Sequence, residues 1–322
     1  MAGSAPVLVA CAGALGSVVG GLLARAGWPV TLLGRRPHLD VVGSRGLLVE
    51  GLFGTHRVTG VSCAVTPEEL RGPYATVFLA VKAHDSEAVA AAVAPHLAPD
   101  GFLVSLQNGL GNLEAAARAV GARRVLGARV IFGAEIAAPG RVRVTVYADP
   151  VLIGSPDPAD RRRREAAASW AANLTEAGIP TEASESIVAE LWAKLLYSAA
   201  LNPLGALRGL SYGALVADVD TRKIMDAVID EAFAVASAEG VTLRWAAARE
   251  YREEFYGRLV PATAAHRSSM LQDLERGRPT EIEAINGWVA ARATAHGIPA
   301  PVNATLTRLL RARARPPARE AR

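Results

Sequence analysis

An apolar segment followed by a glycine-containing turn and a helical pattern opens the chain, and it limits the fold more than any other feature. Residues 6–10 are apolar, Cys11-Ala-Gly-Ala-Leu-Gly16 follows, and apolar helical spacing continues to residue 27. This order is typical of a βαβ unit, in which turn amides and the positive end of a helix dipole can hold a pyrophosphate. Cys11 replaces the first glycine of that pattern, so the turn must form around a side chain.

Basic residues follow the second predicted strand, residues 29–33, which ends in Gly34-Arg35-Arg36. In an NAD-binding unit, an acidic residue about 20 positions after the glycines bonds the ribose hydroxyls. Two guanidinium groups at that place suit a 2′-phosphate instead, because arginine can bond a dianion through two N–H groups. The sequence therefore favours NADPH over NADH. The alternative is an exposed pair of loop arginines.

Two further buried strands are each followed by a polar residue. Residues 74–81 are apolar and Lys82 comes next, while residues 102–106 lead into Gln107-Asn108-Gly109. The carboxyl ends of such strands form the edge at which α/β sheets bind ligands. Asn108 lies in a turn from which its amide can reach a nicotinamide or a substrate carbonyl. A plain loop lysine and a plain turn are the alternatives.

Strand patterns and helical patterns divide the chain into two parts. With 322 residues and 51% hydrophobic content, the chain is long enough for two domains with their own cores. Strand patterns occur up to residue 154, and every long segment after residue 186 has helical spacing. The sequence predicts a Rossmann-like α/β dinucleotide-binding domain at residues 1–180 and an all-helical domain at 181–312. Residues 313–322 are expected to be a disordered basic tail.

A helix predicted over residues 190–203 carries Lys194 among apolar neighbours. At about 100° per residue, Lys194, Ser198 and Asn202 form one polar stripe beside an apolar arc. Such a helix directs a cation and two hydrogen-bonding groups into one cleft. The alternative is a lysine on an ordinary amphipathic helix, whose ammonium group reaches out to water.

Composition and residue spacing argue against several other classes of protein. The net charge is +4, and the basic clusters lack the interleaved aromatic residues of a nucleic-acid surface. Cys11 and Cys63 form neither a disulfide framework nor a metal-ligand spacing, and the histidines are scattered, so no metal site is expected. Residues 5–24 are uncharged, but glycines interrupt them and no basic residue precedes them, so neither a membrane span nor a signal peptide is predicted. We expect a cytoplasmic protein.

Two polar segments occur in the helical half. Ser268, Ser269 and Gln272 lie within a helix predicted at residues 263–276, and Thr280 with Glu281 begins one predicted at residues 281–296. A polar helix face and an acidic first turn account for both segments on structural grounds alone.

Taken together and in this order, these segments resemble the ketopantoate reductase (2-dehydropantoate 2-reductase) family over nearly the whole chain. It is the combination of pieces that is specific. The matching pieces are Gly13-Ala-Leu-Gly16, Val81-Lys-Ala83, Gln107-Asn-Gly109, Pro139-Gly140, Trp192-Ala-Lys-Leu195, Asn202-Pro203, Ser268-Ser-Met-Leu-Gln-Asp273 and Thr280-Glu-Ile282.

The resemblance implies an NADP-dependent oxidoreductase that reduces 2-dehydropantoate to pantoate for pantothenate biosynthesis. By that resemblance Lys194 is similar to the proton donor and Glu281 to the carboxylate that works beside it. The residues expected at the cofactor NADPH are Gly13, Ala14, Leu15, Gly16, Arg35, Lys82, Asn108, Ala134 and Glu281. Those expected at the substrate, a small 2-keto acid, are Asn108, Ser198, Asn202 and Ser269. A homodimer is the assembly considered.

Three positions depart from the family pattern. Cys11 replaces a glycine, while Ser198 and Tyr212 stand where members of the family can place an asparagine. Ser198 and Tyr212 motivate an alternative, a reductase of the same fold that acts on a different 2-keto or β-dicarbonyl substrate. Cys11 motivates a more distant alternative, a dinucleotide sensor without catalytic activity.

Overall fold

The computed structural model describes residues 5–314, which form two compact units. The first unit comprises residues 5–107 and 111–188, and the second comprises residues 108–110 and 189–314. The sequence predicted a boundary after residue 180. Of the predicted basic tail, Arg313 and Ala314 end the last helix, and the remainder lies outside the described residues.

The first unit contains two sheets and five complete α-helices among its described residues, with four short 3₁₀ turns between them. Its strands are β1 Val7–Ala10, β2 Val30–Leu33, β3 Leu47–Gly51, β4 His56–Val58, β5 Ser62–Ala64, β6 Tyr74–Leu79, β7 Leu97–Ser105, β8 Val125–Arg129, β9 Phe132–Ala138, β10 Arg141–Tyr147, β11 Val151–Gly154 and β12 Thr181–Ser184. Its helices are α1 Ala14–Arg25, α2 Arg36–Arg45, α3 Ser86–Val93, α4 Asn112–Val120 and α5 Arg161–Glu176.

The larger sheet has eight strands in the order β12-β11-β8-β7-β6-β1-β2-β5. All neighbours are parallel except β8 and β11. From β1 the chain first builds outward through β2 and β5, and then returns to the other side of β1 to add β6, β7 and β8. The order therefore reverses between β1 and β6, which is the topological switch point of a Rossmann-like fold. The predicted fold class is confirmed.

Apolar strands and closely packed glycines form the core of this sheet. All four residues of β1 are fully buried, as expected for a central parallel strand that helices cover on both faces. Helix α1 packs against the sheet through Gly20, where a Cβ would lie 2.5 Å from Leu32 Cδ2. The glycines of α1 therefore let the helix approach the strands closely.

The second sheet has four strands in the order β4-β3-β10-β9. Two of its strands, β3 and β4, come from the segment between β2 and β5 in the chain. Strands β9 and β10 form a hairpin, and Gly140 in its turn has a φ of 72°. Strands β8 and β9 follow closely in the chain but lie in different sheets, because the chain leaves the large sheet after Arg129.

Three elements of this unit were not predicted. Helices α2 and α4 directly follow the loops at the carboxyl ends of β2 and β7, and the prediction described only those loops. Strand β12 pairs in parallel with β11 at the end of the large sheet, and its sequence, Thr-Glu-Ala-Ser, has no apolar run. An edge strand of this kind is defined by its partner rather than by its own pattern.

The second unit is helical throughout its described residues. Its helices are α6 Ile187–Arg208, which begins two residues before the boundary, α7 Tyr212–Ala217, α8 Val219–Ala238, α9 Ala248–Glu254, α10 Ser269–Glu275, α11 Asn286–Ala295 and α12 Pro301–Ala314. A π-helical segment, Phe255–Leu259, continues α9, and a 3₁₀ turn, Ile282–Ala284, precedes α11. No helix among residues 5–314 is long and apolar enough to cross a bilayer.

Helix boundaries in this unit differ from the prediction at three functional segments. The helix predicted at residues 263–276 begins only at Ser269, because Ser268 is its N-cap and lies outside it. Helix α6 does not stop at Pro203 but continues for five residues, to Arg208. Glu281 does not lie in the first turn of a long helix, since it precedes the 3₁₀ turn, and α11 begins at Asn286. Proline removes only its own N–H from the helix ladder, and a partner elsewhere can compensate for that loss.

Candidate active site

Three neighbouring parallel strands of the first unit deliver polar groups to one edge of the large sheet. The glycine turn follows β1, Arg35 follows β2 by two residues, and Lys82 follows β6 by three. Because these strands are adjacent and parallel, their carboxyl ends lie side by side. This edge, next to the switch point, is where open α/β sheets bind ligands.

The glycine turn leaves the N-terminus of α1 uncapped. Gly13 is the capping residue and offers no side-chain acceptor, and the first turn of α1 has no acidic residue. A Cβ at Gly13 would have only Cys11 Sγ nearby, at 3.8 Å, whereas a Cβ at Gly16 would lie 2.1 Å from the Cys11 carbonyl oxygen. Packing within the chain therefore requires Gly16, while Gly13 keeps space in front of the amides of Ala14 and Leu15. Those amides and that space fit a pyrophosphate.

Cys11 adopts the conformation that the missing glycine would have taken. Its φ is 88°, and it is the one non-glycine residue with a positive φ among residues 5–314. Burial raises the pKa of its thiol, while a hydrogen bond from the Gly13 backbone and the charge of Arg35 act in the opposite direction. The turn is therefore formed despite the side chain, at the cost of backbone strain.

Arg35 is exposed at the start of α2, and it forms no ion pair with any other described residue. Gly34 lets its segment approach the glycine turn, because a Cβ there would lie 2.9 Å from Ala12 Cβ. The Ala12 amide also donates to the Leu33 carbonyl at 2.7 Å. An uncompensated guanidinium beside an open phosphate-binding turn is a suitable partner for an additional phosphate.

A buried polar network supports the Lys82 segment. Gln107 donates through Nε2 to the Val81 carbonyl at 3.1 Å and to Ser86 Oγ, and Ser86 in turn donates to Asn112 Oδ1 at 2.7 Å. Ser105, Ser86, Gln107 and Asn112 are all buried. The prediction did not assign a role to Ser86 or Asn112, since neither stands out in the sequence. The network fixes the backbone next to Lys82.

Ala134, predicted to line the cofactor, lies on β9 of the four-stranded sheet. It pairs with Val144 of β10 and packs against the core that α1 shares with both sheets. Its small side chain is partly exposed.

In the second unit, Asn108 joins Lys194 to Glu281. Lys194 Nζ donates to Asn108 Oδ1 at 2.6 Å, and Asn108 Nδ2 donates to Glu281 Oε2 at 3.3 Å. Leu110 further ties this turn to the Glu281 segment, because its amide donates to the Ala284 carbonyl at 2.8 Å. The carboxylate thus holds the amide, and the amide holds the ammonium group. This chain of bonds fixes the lysine head although its stem is long and flexible.

A small cavity adjoins this group. Its lining consists of Asn108, Asn202, Ser269, Met270, Asp273, Glu281 and Ile285. Glu281 and Asp273 are buried, whereas Ser269 is exposed at the start of α10. Four residues predicted from distant parts of the sequence, Asn108, Asn202, Ser269 and Glu281, therefore line one cavity.

The predicted polar stripe is present on α6. Lys194, Ser198 and Asn202 are partly exposed, and Leu195, Leu196 and Ala199 beside them are buried. Ser198 lies one turn from each of the other two, but it is not among the residues that line the small cavity.

Two residues of this unit that the prediction left without a role lie at the cavity or next to a residue that lines it. Asp273 lines the cavity, and Ser268 caps α10 by accepting from the Leu271 amide at 3.1 Å. Both stand in the segment that carried the family resemblance. Tyr212, noted only as a departure, donates through its hydroxyl to Asn202 Oδ1 at 2.7 Å. No spacing in the sequence indicates that bond.

Comparison with protein families agrees with both units. Residues 7–158 match the family described as ketopantoate reductase PanE/ApbA, and residues 186–314 match its C-terminal family.

The chain belongs to the ketopantoate reductase family.

Two curated members of this family are similar along nearly their whole length. The 2-dehydropantoate 2-reductase of Aquifex aeolicus is 36% identical over 306 residues, which cover 95% of this chain and 96% of that protein. The enzyme of the same name from Archaeoglobus fulgidus is 37% identical over 302 residues, 93% of this chain and 95% of that protein. The chain is accordingly an oxidoreductase that acts on a keto group and uses a nicotinamide dinucleotide. The alternative of a non-catalytic sensor is set aside.

Solved structures show the same fold. A ketopantoate reductase from Ralstonia eutropha JMP134 has a TM-score of 0.85 and 35% identity, and covers 96% of this chain and 98% of its own. D-mandelate dehydrogenase in complex with NADH and anilino(oxo)acetate has a TM-score of 0.86 at 23% identity, with the same coverage of each chain. At that identity the second likeness concerns the fold alone.

Proposed function

We propose that this protein reduces 2-dehydropantoate to pantoate, with hydride from NADPH and with Lys194 as the proton donor. The observation that carries this proposal is the bonded series Lys194–Asn108–Glu281 beside a cavity lined by Asn202 and Ser269. Curated relatives with at least 30% identity over nearly the whole chain bear the name 2-dehydropantoate 2-reductase, which supports this substrate.

The first unit is proposed to bind the cofactor. NADPH, when bound, supplies the hydride that the keto carbon receives. The amides of Ala14, Leu15 and Gly16 hold the pyrophosphate at the start of α1. Arg35 holds the 2′-phosphate, and this contact favours NADPH over NADH. Lys82 and Ala134 line the cofactor.

The second unit is proposed to bind the keto acid and supply the proton. As negative charge develops on the keto oxygen, the ammonium group of Lys194 stabilises it and then donates a proton to it. Asn108 orients that ammonium group, and Glu281 orients Asn108 and also touches the cofactor. Such positioning lowers the barrier because the donor need not reorganise during the reaction.

Hydrogen-bonding groups around Lys194 are proposed to recognise the rest of the substrate. Asn202 and Ser269 line the cavity, and a hydroxyl and an amide there can donate to the substrate carboxylate. Ser198, between Lys194 and Asn202 on α6, is proposed to contact the pantoyl part, where its short side chain gives less reach than an asparagine. Substrate selection is accordingly expected to depend on these three positions.

Steady-state NADPH oxidation with 2-dehydropantoate and a panel of other 2-keto acids tests the substrate. We expect kcat/KM for 2-dehydropantoate to exceed that for 2-oxobutanoate and 2-oxoisovalerate by about 100-fold, the scale on which one pocket discriminates related substrates. Product identity is checked by mass spectrometry. Equal kcat/KM values across the panel would exclude 2-dehydropantoate as the specific substrate.

A second candidate is a reductase of the same fold that acts on a different 2-keto or β-dicarbonyl substrate. Tyr212 favours this second candidate, because its buried phenol bonds the oxygen of the Asn202 amide. That oxygen is then not available to a substrate. The same panel, extended with bulkier 2-keto acids and β-dicarbonyl compounds, distinguishes the candidates by the compound with the highest kcat/KM.

Cytoplasmic location and a homodimer remain part of the proposal. Cys11 and Cys63 are both free, which agrees with a reducing compartment. Light scattering on the purified protein decides the assembly, and a monomeric mass would contradict the homodimer.

A further inference from the structure

Tyr212 is held rigidly by its neighbours at the start of α7. Its ring meets the ring of Tyr197 edge to face at 5.8 Å and that of His266 at 5.1 Å, and only 4% of the residue is exposed. Its backbone is fixed as well, since the Tyr212 amide donates to the His266 carbonyl at 3.1 Å. A ring fixed on two sides gives its hydroxyl a fixed direction.

That hydroxyl is directed at Asn202. The bond from Tyr212 Oη to Asn202 Oδ1 is 2.7 Å long. Burial raises the pKa of the Tyr212 phenol well above its usual range, so the hydroxyl keeps its proton and remains a donor at neutral pH. The oxygen end of the Asn202 carboxamide is therefore bonded to the protein.

The backbone of Asn202 is also fixed. Ser268, which is fully buried, donates through Oγ to the Asn202 carbonyl oxygen at 3.3 Å and caps α10 with the same oxygen. Within residues 5–314, Asn202 Nδ2 has no hydrogen-bond partner, although Asn202 lines the small cavity. The NH₂ end is thus the part of the carboxamide that remains for a ligand.

We infer that Tyr212 is a positioning residue that holds the Asn202 carboxamide with its NH₂ group toward the substrate, so that Asn202 recognises a hydrogen-bond acceptor. In a 2-keto acid that acceptor is a carboxylate or keto oxygen. This inference rests on the proposed reduction of a 2-keto acid. The inference gives Tyr212 a role that needs no contact with the substrate. Members of the family can place at this position an asparagine that contacts the substrate.

A double-mutant cycle tests the inference. Wild type, Tyr212→Phe, Asn202→Ala and the double variant are compared for KM and kcat with the 2-keto acid that gives the highest kcat/KM. Each single substitution is expected to raise KM about fivefold, the equivalent of one hydrogen bond, with a smaller effect on kcat. If Tyr212 acts through Asn202, the double variant has the KM of Asn202→Ala. If KM of the double variant rose by the product of the two single rises, the inference would be overturned.

Tyr197→Phe is the matched control. Its hydroxyl bonds Thr263 instead of Asn202, and its ring touches the same cluster. We expect its KM to stay near that of wild type, and a rise equal to that of Tyr212→Phe would point to loss of packing in the cluster and contradict the inference. Melting temperatures of all variants identify any that are unfolded.

Asn202→Gln tests the same contact with Tyr212 intact. The added methylene moves the carboxamide out of register with the phenol, so KM should rise as in Asn202→Ala, and an unchanged KM would overturn the inference. These measurements use any good 2-keto acid. A wild-type protein that fails only with 2-dehydropantoate therefore contradicts the proposed function and leaves the role of Tyr212 to be decided by the cycle.

Discussion

The side-chain amide of Asn286 donates a hydrogen bond to the backbone carbonyl of Ala199 at 3.1 Å. Ala199 lies four residues before Pro203 in α6, and a proline at that position has no N–H to offer this carbonyl. The fully buried Asn286 replaces the missing donor and also bonds Asn303 Oδ1 at 2.9 Å. This explains why α6 continues past its proline to Arg208.

Replacing Asn286 should therefore destabilise the protein. Asn286→Ala leaves the carbonyl of Ala199 and the amide oxygen of Asn303 without their donor, and we expect the free energy of unfolding to fall by about 2–3 kcal/mol. Urea denaturation measures the change. Thr294→Ala on the same helix is the control, since that hydroxyl is exposed and bonds only its own helix. Equal stability of Asn286→Ala and wild type would show that Ala199 needs no replacement donor.

Lys194→Ala should lower kcat by about 100-fold or more, the usual scale for a general acid. NADPH affinity, measured by fluorescence titration, should change little, because the proposed phosphate contacts are made by other residues. Lys223→Ala provides a control, as this lysine is exposed and pairs with Asp220. A Lys194→Ala enzyme with wild-type kcat would remove the lysine from the mechanism.

Arg35→Ala should weaken NADPH binding more than NADH binding. One lost charge-assisted contact to the 2′-phosphate corresponds to about 1.5–3 kcal/mol, or roughly 10- to 150-fold in Kd. Titration of both cofactors measures the ratio, and Arg45→Ala at the far end of α2 serves as the control. Similar losses for the two cofactors would contradict a 2′-phosphate contact.

Cys11→Gly should stabilise the protein. The φ of 88° costs Cys11 backbone strain that glycine does not have, on the order of 1 kcal/mol. Cys11→Ala removes the thiol but keeps the strain, so it separates the two effects. Thermal unfolding should give a higher Tm for Cys11→Gly than for Cys11→Ala. The opposite order would contradict the strain, because neither variant carries the thiol and the two differ only in the Cβ at a positive φ.

His38 should make stability depend on pH. It is buried, accepts from the Gly140 amide at Nδ1 at 3.1 Å and bonds Ser17 Oγ through Nε2 at 3.0 Å, so it joins α1, α2 and the β9–β10 turn as a neutral ring. Burial lowers the pKa of His38 from its ordinary value near 6.5. The unfolded chain therefore binds the histidine proton more readily than the folded chain does. The stability that neutral His38 contributes is complete above pH 6.5 and is lost as pH falls through the pKa of His38 in the folded state.

Urea denaturation at pH values from about 7.5 to about 5, on both sides of the ordinary histidine pKa, measures this dependence. Wild type should lose stability over that range more steeply than His38→Gln. His96→Gln, which changes a partly exposed histidine, should follow wild type. Parallel curves for wild type and His38→Gln would show that His38 is not responsible.

Much of the site could be predicted from the sequence because its members carry local signals. The apolar run, the glycines and the basic strand end specified the α/β half, and helical spacing placed Lys194, Ser198 and Asn202 on one face of α6. The turn after a buried strand indicated Asn108, and family resemblance supplied the roles of Ser269 and Glu281. The predictions made from strand and helix patterns rest on stretches within about 20 residues, the range over which such periodicity acts. Those made from the resemblance rest on the combination of segments along nearly the whole chain.

Tertiary structure decided the rest. The bond that Asn108 makes with Glu281 joins residues 173 positions apart, and the bond of Tyr212 with Asn202 depends on packing against His266. The continuation of α6 through Pro203 depends on Asn286, and β12 exists because β11 pairs with it. The sequence by itself determined the fold class and which groups the chain can offer for chemistry. Which atoms of those groups are already bonded to the protein, and which remain for a substrate, depends on contacts between distant segments that no local pattern records.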